Sequence, residues 1–339
     1  MCAGDTNFLG VTDASVPFKH VAPVLKQADL RFTNLECGFY EAADPLSQPA
    51  DGFTAKFAAA EALRIAGFNA VGTANNGNYG NEPILSTLKT LDGLGILHTG
   101  SGVNSAAAHE PIIIEAKGVK VGFLQRTAVY WSIGHEAGEK RPGVAALKVH
   151  TSYRLPMHRE AMSVPPLNRP GIPMQVFTTT DPEYLKRLRE DLEHLRSKCD
   201  IMIASFHWGL NREVMHYMSE VAHASIEAGA DAVIGHGPHH PLAIEVYKGR
   251  PIFYGLAHFC FNIGHYGTRT EDWLGALASI AFDGRKPVEA SIRWVRRNSA
   301  NETFFPDPHK ETKALEEITN LSKAYGTKLS IEGEEIRIT

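Results

Sequence analysis

The sequence has little that would tie the protein to a disulfide framework, a membrane or a nucleic acid. Its 339 residues include four cysteines, which are far apart and form no Cys-x-x-Cys pair. We find neither an apolar signal segment nor an apolar run long enough to cross a bilayer. The formal net charge is −4 without a basic block, which argues against nucleic acids and anionic membranes as partners. We therefore expect a cytoplasmic protein with reduced, mostly buried thiols.

The rest of the composition is typical of a globular α/β protein, with 43% apolar and 21% charged residues. Short apolar runs bounded by glycine or proline predict buried strands, and segments of helical periodicity lie between them. Hairpins are predicted around residues 117–118 and 248–249. Helices are predicted over 16–28, 55–66, 82–93, 181–198 and 213–228. This mixture predicts two sheets packed together with helices outside.

Several predicted strands end on a residue that can bind a metal or move a proton. These residues are Asp5, Glu36, Asn76, His207, His236 and His258, and Asn75, His239 and His240 stand beside them. In open α/β sheets, ligands bind beyond the carboxyl ends of the strands. We therefore expect these side chains to meet in one active site that holds metal.

One stretch, residues 128–180, departs from this alternation and is rich in aromatic residues, histidine, arginine and proline. It is too long for a simple connection, and long structured loops commonly cover or bind a ligand. We predict a lid or substrate-binding insertion within a main domain of residues 1–300, although a plain surface insertion remains an alternative. Residues 301–339 are predicted to add a helix and a hairpin to the same domain.

The motifs and their order resemble one known family. They are Gly4-Asp5, Asn34-Leu35-Glu36, Ala74-Asn75-Asn76, His207-Trp208-Gly209, Gly235-His236 with Pro238-His239, and Tyr254-Gly255-Leu256. Together they resemble the CapA/PgsA family of bacterial capsule and poly-γ-glutamate synthesis proteins, which have a calcineurin-like metallophosphoesterase fold. The resemblance implies a four-layer α/β/β/α sandwich with its site at the strand ends.

The sequence departs from the family pattern at three positions. Gly77 stands where the family usually has the histidine of Asn-Asn-His, and Gly237 stands where it has the second residue of His-His-Pro-His. These two changes remove parts of a two-metal phosphoesterase. The third places His258 where the family usually has asparagine, which makes it a candidate for altered chemistry. Members tied to capsule polymers usually carry a membrane anchor, and we find none in this sequence.

The residue types then suggest a role for each candidate. The predicted ligands of one or two divalent ions (zinc, manganese or iron) are Asp5, Glu36, Asn76, His207, His236 and His239. The predicted catalytic residues are Asp5, His207 and His258, the last to give or take a proton. The predicted substrate-binding residues are Asn75, Trp208, Tyr130, Trp131 and Arg126. A turn at Asn75-Asn76-Gly77 and structural roles for the histidines remain alternatives.

Three functions fit this pattern. The first is a metal-dependent hydrolase that acts on a small amide, peptide-like or phosphoester substrate through metal-activated water. The second is a metal-independent epimerase or lyase that uses Asp5 and the histidines as acid and base. The third is a non-catalytic accessory protein of poly-γ-glutamate or capsule synthesis. A homodimer is expected only as the commonest soluble oligomer.

Overall fold

Two large β-sheets organise the residues that the computed structural model describes, which are 1–42, 53–154, 173–210, 212–263 and 272–339. The strands in chain order are β1 (Cys2–Asn7), β2 (Phe32–Leu35), β3 (Gly38–Phe39), β4 (Thr54–Ala55), β5 (Ala70–Gly72), β6 (Leu97–Thr99), β7 (Ser101–Gly102), β8 (Ile112–Ala116), β9 (Val119–Thr127), β10 (Gly143–Val144), β11 (Val149–Arg154), β12 (Gln175–Thr180), β13 (Ile201–His207), β14 (Ala232–His236), β15 (Ile244–Tyr247), β16 (Arg250–Phe253), β17 (His258–Phe261), β18 (Gly275–Asp283), β19 (Lys286–Arg297), β20 (Thr303–Phe304), β21 (Leu329–Glu332) and β22 (Glu335–Ile338).

The larger sheet has ten strands, in the order β21-β22-β19-β18-β1-β2-β5-β6, with β17 also paired to β1 and β20 to β19. The smaller sheet has six strands, in the order β15-β16-β14-β13-β9-β8. The central strands of both sheets run parallel: β1 pairs with β2, β2 with β5, and β13 with both β9 and β14. Parallel strands place their carboxyl ends along one edge, which is where the candidate site residues were expected.

The helices lie between and after these strands. They are α1 (Ala22–Leu25), α2 (Glu61–Ala66), α3 (Asn81–Leu94), α4 (Ser105–His109), α5 (Pro182–Arg196), α6 (His216–Glu227) and α7 (Thr312–Lys323), with 3-10 turns at Phe57–Ala60 and Pro308–Lys310. The predicted start of α5 is confirmed, because the Asp181 side chain accepts a hydrogen bond from the Glu183 amide at 3.0 Å. The predicted hairpins β8–β9 and β15–β16 are confirmed as well.

The helix predicted over residues 16–28 is wrong for most of its length, since only Ala22–Leu25 is helical. Pro17 and Pro23 lack the amide hydrogen that an interior helical turn needs, so turns precede the short helix and Pro23 lies in its first turn. The helix predicted over 55–66 is likewise shortened, to a 3-10 turn followed by α2. In both places the apolar spacing predicted correctly that the segment packs against the core, but it did not predict the backbone conformation.

Three buried apolar clusters hold these elements together. One joins the ten-stranded sheet to α1 and α2, and a second joins the six-stranded sheet to α5 and α6. The third contains residues of both sheets, among them Phe32 and Phe123, whose rings stack with centroids 5.1 Å apart. The chain therefore folds as a mixed α/β protein in which the two sheets share a core.

The C-terminal segment continues this architecture. Hairpin β21–β22 extends the ten-stranded sheet through β19, and the amide of Ile244 donates to the Ser322 hydroxyl of α7 at 2.9 Å. In the predicted insertion, β11 and β12 form an antiparallel hairpin, and residues 155–172 lie outside the described part of the chain. Its role as a lid stays a prediction. Among the described residues, none of the helices combines the length and apolar character needed to cross a membrane.

Candidate metal centre

The two sheets bring most of the predicted ligands to one place. His207 closes β13 and His236 closes β14, and the two residues are paired in register across neighbouring strands. Glu36 follows β2 directly, and Asn76 lies in the loop after β5. This agrees with the rule that parallel strand ends form the ligand site.

Two of the predicted positions need correction. Asp5 lies within β1 instead of at its end, next to a register shift between Asp5 and Thr6. His258 begins β17 and does not close the preceding strand β16. Because β17 pairs with β1 in parallel, Asp5 and His258 are nevertheless direct partners across the two strands.

Two fully buried carboxylates, Asp5 and Glu36, lie among the histidines. The Asp5 carboxylate is 3.3 Å from His236 Nδ1 and 3.5 Å from His239 Nδ1. Glu36 Oε1 is 3.8 Å from His207 Nε2 and 3.7 Å from His239 Nε2. These separations exceed the usual hydrogen-bond range. They are near the roughly 3.3 Å that separates two ligands around a tetrahedral zinc ion with bonds of about 2.0 Å.

The same side chains carry buried polar atoms that have no hydrogen-bond partner. These atoms are both Glu36 oxygens, Asn76 Oδ1, His207 Nε2, both His236 nitrogens, His239 Nδ1 and His258 Nδ1. Burying such atoms unpaired is costly, and a cation bound among them would satisfy those that are acceptors. A mixture of imidazole nitrogens with carboxylate and amide oxygens suits zinc, manganese or iron. The residues present therefore fit a divalent ion.

Thr127 orients His207, a role that sequence reasoning missed. The Thr127 hydroxyl donates to the Val129 carbonyl at 2.8 Å, so its oxygen is left to accept from His207 Nδ1 at 3.1 Å. That contact keeps the proton on Nδ1 and leaves the Nε2 lone pair directed toward Glu36. A signal was present, since Thr127 ends β9, which pairs with β13, at the position opposite His207.

A relay of amide side chains supports Asp5. Asn34 Nδ2 donates to Asp5 Oδ1 at 2.9 Å, and Asn34 Oδ1 accepts from Asn75 Nδ2 and Gln125 Nε2, both at 3.0 Å. The Gly237 amide donates to Asp5 Oδ2 at 3.2 Å. The sequence suggested Asn75 both as a substrate contact and as a residue that ties its loop to backbone. The second role is confirmed, since its side chain donates to the Leu35 carbonyl and accepts from the Gly77 and Asn78 amides. Gln125, a polar residue within an apolar strand, was not predicted.

The carboxylates and histidines shift one another's pKa values. Burial by itself would raise the pKa of Asp5, but the imidazoles of His236 and His239 outweigh it and hold that pKa well below its ordinary value. Burial opposes the charged form of His239, yet Glu36 and Asp5 raise its pKa to about 9. Burial, aided by His239, lowers the pKa of His258 well below its usual range. The site is thus a strongly electronegative pocket that favours a positive charge.

At both glycines that depart from the family pattern, a side chain would clash with neighbouring atoms. A Cβ at Gly77 would lie 2.5 Å from the Glu36 carbonyl oxygen, so this backbone admits no side chain there. Gly237 has φ of +104°, and a Cβ would approach the Trp208 carbonyl to 2.8 Å and His207 Nε2 to 3.1 Å. The backbone at Gly77 and Gly237 therefore leaves no room for the histidines of the family pattern.

The predicted substrate-binding aromatic residues lie in different environments. Trp131 is 38% exposed, and its indole donates to the Asn76 carbonyl at 3.0 Å, at the rim of the site. Tyr130 beside it is partly buried. Trp208 is fully buried, stacks on Phe206 and donates to the backbone carbonyl of Tyr254, just after β16. Trp208 is therefore a core residue, and the prediction that it contacts substrate is not supported.

Arg126 is likewise not brought to the site. Residues alternate between the two faces of a strand, and Gln125 occupies the face of β9 that meets Asn34. Arg126 points to the other face, is 2% exposed and pairs with Asp191 at 2.6 Å. Its guanidinium also donates to the carbonyls of Gln125 and His109. These contacts make Arg126 a structural residue, and we no longer assign it to substrate binding.

Comparisons with known proteins agree with the motifs. The sequence profile of the bacterial capsule synthesis protein family PGA_cap matches residues 4–263. The capsule biosynthesis protein CapA of Bacillus anthracis is 26% identical over 262 residues, covering 75% of this chain and 55% of that protein. A probable polyglutamine synthesis accessory protein of Mycobacterium tuberculosis is 30% identical over 203 residues, covering 57% of this chain and 46% of that protein.

An uncharacterized protein, y4sH, of Sinorhizobium fredii is 28% identical over 285 residues, covering 72% of this chain and 61% of that protein. The matched regions thus span about half to three fifths of these relatives. A hypothetical protein from Thermus thermophilus has a similar fold, with a TM-score of 0.50 and 15% identity over 88% of this chain and 98% of that chain. The family match extends over all the site residues from Asp5 to His258, and the chain belongs to the PGA_cap, or CapA, family of bacterial capsule and poly-glutamate synthesis proteins.

Proposed function

We propose that this protein is a metal-dependent hydrolase. Asp5, Glu36, Asn76, His207, His236 and His239 would hold one or two divalent ions, which when bound lower the pKa of a water molecule and polarise the scissile group. The observation that carries the proposal is the group of buried atoms without hydrogen-bond partners on Glu36 and the histidines, together with the 3.3 to 3.8 Å that separate histidine nitrogens from the oxygens of Asp5 and Glu36.

The chain's own residues supply positioning around such a water. Thr127 presents Nε2 of His207, and Asn34 with the Gly237 amide holds both oxygens of Asp5. Trp131, hydrogen-bonded to the loop that carries Asn76, would form one wall of the substrate pocket. The fold that we propose around them is the four-layer α/β/β/α sandwich of calcineurin-like phosphoesterases. Three apolar clusters support it: one packs helices on the ten-stranded sheet, one packs the two sheets on each other, and one packs helices on the six-stranded sheet.

The substrate that we propose is a small molecule with an amide or peptide-like bond, and a phosphoester is the alternative. Relatives named for capsule biosynthesis and for an accessory role in polyglutamine synthesis support an amide of the glutamyl type. The replacement of two family histidines by Gly77 and Gly237 weighs against the full two-metal phosphoesterase machinery. The four free, buried cysteines are compatible with a reducing compartment, so the cytoplasm is our proposed location.

The proposal is tested by metal analysis followed by hydrolysis assays. Protein purified without a metal-affinity tag should contain one or two equivalents of a transition metal, and His207→Ala should lose metal. Chelation should abolish hydrolysis of γ-glutamyl amides or phosphoesters, and zinc or manganese should restore it. Folded protein that contains no metal, or activity that survives chelation, would instead favour the epimerase or lyase based on Asp5 and the histidines. Ligand binding without turnover would favour the accessory role.

A further inference from the structure

His258 is placed beside Asp5 by an unusual backbone arrangement. The Asp5 amide donates to the Ala257 carbonyl at 2.7 Å, and Ala257 adopts φ of +57°, a left-handed conformation that is uncommon outside glycine. A Cβ at Gly4 would lie 2.0 Å from the same carbonyl oxygen, so only glycine allows this approach. Backbone strain of this kind persists where the surrounding structure enforces it, commonly at functional sites.

The His258 ring faces into the cluster from an apolar wall. It stacks on the His239 ring with centroids 4.5 Å apart, and it lies 4.3 Å from the Phe261 ring and 5.4 Å from the Trp273 ring. The residue is 5% exposed, and its Nδ1 has no hydrogen-bond partner. Asp5, His239 and His258 each contribute one potential ligand atom, and the three atoms lie within 4.8 Å of one another. No other group of three such residues is this close in the described ranges.

We propose that His258 is a metal ligand, and that Asp5, His239 and His258 together bind one ion through two imidazoles and one carboxylate. Glu36, Asn76 and His207 would then hold a second, more oxygen-rich position, and His236, whose Nδ1 is 3.3 Å from Asp5, lies beside the first. This inference rests on the proposed metal site and chooses for His258 the ligand role over the proton carrier or polar cap that the sequence left as alternatives. A ligand role explains why a buried imidazole with an unpaired nitrogen is aimed at a buried carboxylate.

The two positions should differ in the metals they accept. Imidazole ligands favour zinc, iron and copper, whereas carboxylate and amide oxygens suit manganese and magnesium. The Asp5, His239 and His258 set adds an imidazole where the family usually has asparagine, so it should shift this position toward zinc or iron.

The test compares zinc binding by the metal-free wild type, His258→Ala, His258→Asn and the control His240→Ala. His240 is partly exposed on the same loop as His239 and lies outside the three-residue set. Competition with a fluorescent chelator and mass spectrometry of the bound metal give affinity and stoichiometry. We expect both His258 variants to lose one equivalent of zinc, or to bind it at least about tenfold more weakly. The wild type and His240→Ala should bind alike.

Zinc binding by a folded His258→Ala with wild-type stoichiometry and affinity would overturn the inference. If His258→Ala does not fold, X-ray absorption of the zinc-loaded wild type and of zinc-loaded His258→Asn decides the matter: one imidazole fewer on the ion in His258→Asn supports the inference, and an equal number overturns it. Zinc binding that depends on His258 without any hydrolysis would leave the inference standing and remove the proposed hydrolase. Hydrolysis together with metal binding that does not depend on His258 would overturn the inference and leave the proposed hydrolase standing.

Discussion

Two clusters of histidine and glutamate within the described residues differ in how far apart their partners lie. Around Glu36, the nearest nitrogens of His207 and His239 are 3.8 and 3.7 Å away, and neither Glu36 oxygen accepts a hydrogen bond. Around Glu245, His223 Nε2 lies 2.9 and 3.0 Å from the two oxygens, and the Tyr254 hydroxyl donates at 2.6 Å. Similar side chains thus hydrogen-bond to one another in the Glu245 cluster and lack hydrogen-bond partners in the Glu36 cluster.

The difference shows how a structural cluster is told from a ligand-binding one. Groups that stabilise each other approach to hydrogen-bonding distance, as they do around Glu245. Groups that share a cation stand farther apart and direct their lone pairs to a common point, which describes Glu36 and its neighbours. Residue types alone do not separate the two cases, because both clusters combine carboxylate and imidazole. The spacing therefore carries the functional assignment.

The largest effect should come from removing metal from the Glu36 cluster. At a concentration about 100 times its Kd, a bound ion stabilises the folded protein by about 2.7 kcal/mol, so chelation should lower the melting temperature of the wild type. In Glu36→Gln the chelator should have a smaller effect, because the position beside Glu36 no longer holds an ion. Glu245→Gln, the matched control in the other cluster, should keep the full response. Thermal melts with and without chelator measure this, and an equal response in both variants would contradict the assignment.

Filling the space beneath the Glu36 carbonyl should destabilise the protein next most. In Gly77→Ala the added methyl group would meet that carbonyl oxygen at 2.5 Å, and overpacking of this kind costs about 1–3 kcal/mol. Gly93→Ala, inside α3 with no atom within 4 Å of the added Cβ, should instead be neutral or stabilising. Urea unfolding of both variants tests the comparison. A stable Gly77→Ala with unchanged metal content would show that this loop is not tightly held.

The Glu245 cluster should contribute stability without any part in metal binding. Tyr254→Phe removes one hydrogen bond to Glu245 but leaves both contacts with His223, so the free energy of unfolding should fall by about 0.5–1.5 kcal/mol. Metal content should stay at the wild-type value. Chemical unfolding together with elemental analysis checks both statements. Loss of metal from this variant would remove the distinction between the two clusters.

The smallest effect should come from an exposed counterpart of these clusters, in which Glu302 contacts Asn298, His20 and Lys19. These contacts lower the pKa of Glu302 from 4.5 to about 2. Because the folded pKa is the lower one, the stabilisation is present above pH 4.5 and is lost as pH falls toward 2. Glu302→Gln should therefore differ from the wild type near pH ~6 and converge with it near pH ~2. Melting temperatures across this range measure the difference, and a constant difference would contradict it.

Residue order was sufficient to locate the strand ends and most of the site. A buried parallel strand is a short local pattern, and its carboxyl end must lie at a shared edge, so Glu36, His207 and His236 could be assigned to one centre before any contact was known. The same argument included Asp5 and Asn76 and placed His239 beside His236. The α5 cap and the two hairpins were equally local, which is why they were predicted correctly.

Other features depended on contacts between residues distant in sequence. Trp208 and Arg126 follow or precede site residues in the chain, but strand alternation and packing direct them into the core. Thr127 gained its role from the pairing of β9 with β13, and Gln125 gained its role from the contact between β9 of one sheet and β2 of the other. The pairing of β17 with β1 brought His258 to Asp5 across most of the length of the sequence. Local patterns encode strands and their ends, whereas the direction and partner of each side chain are set by the packing of one sheet on the other.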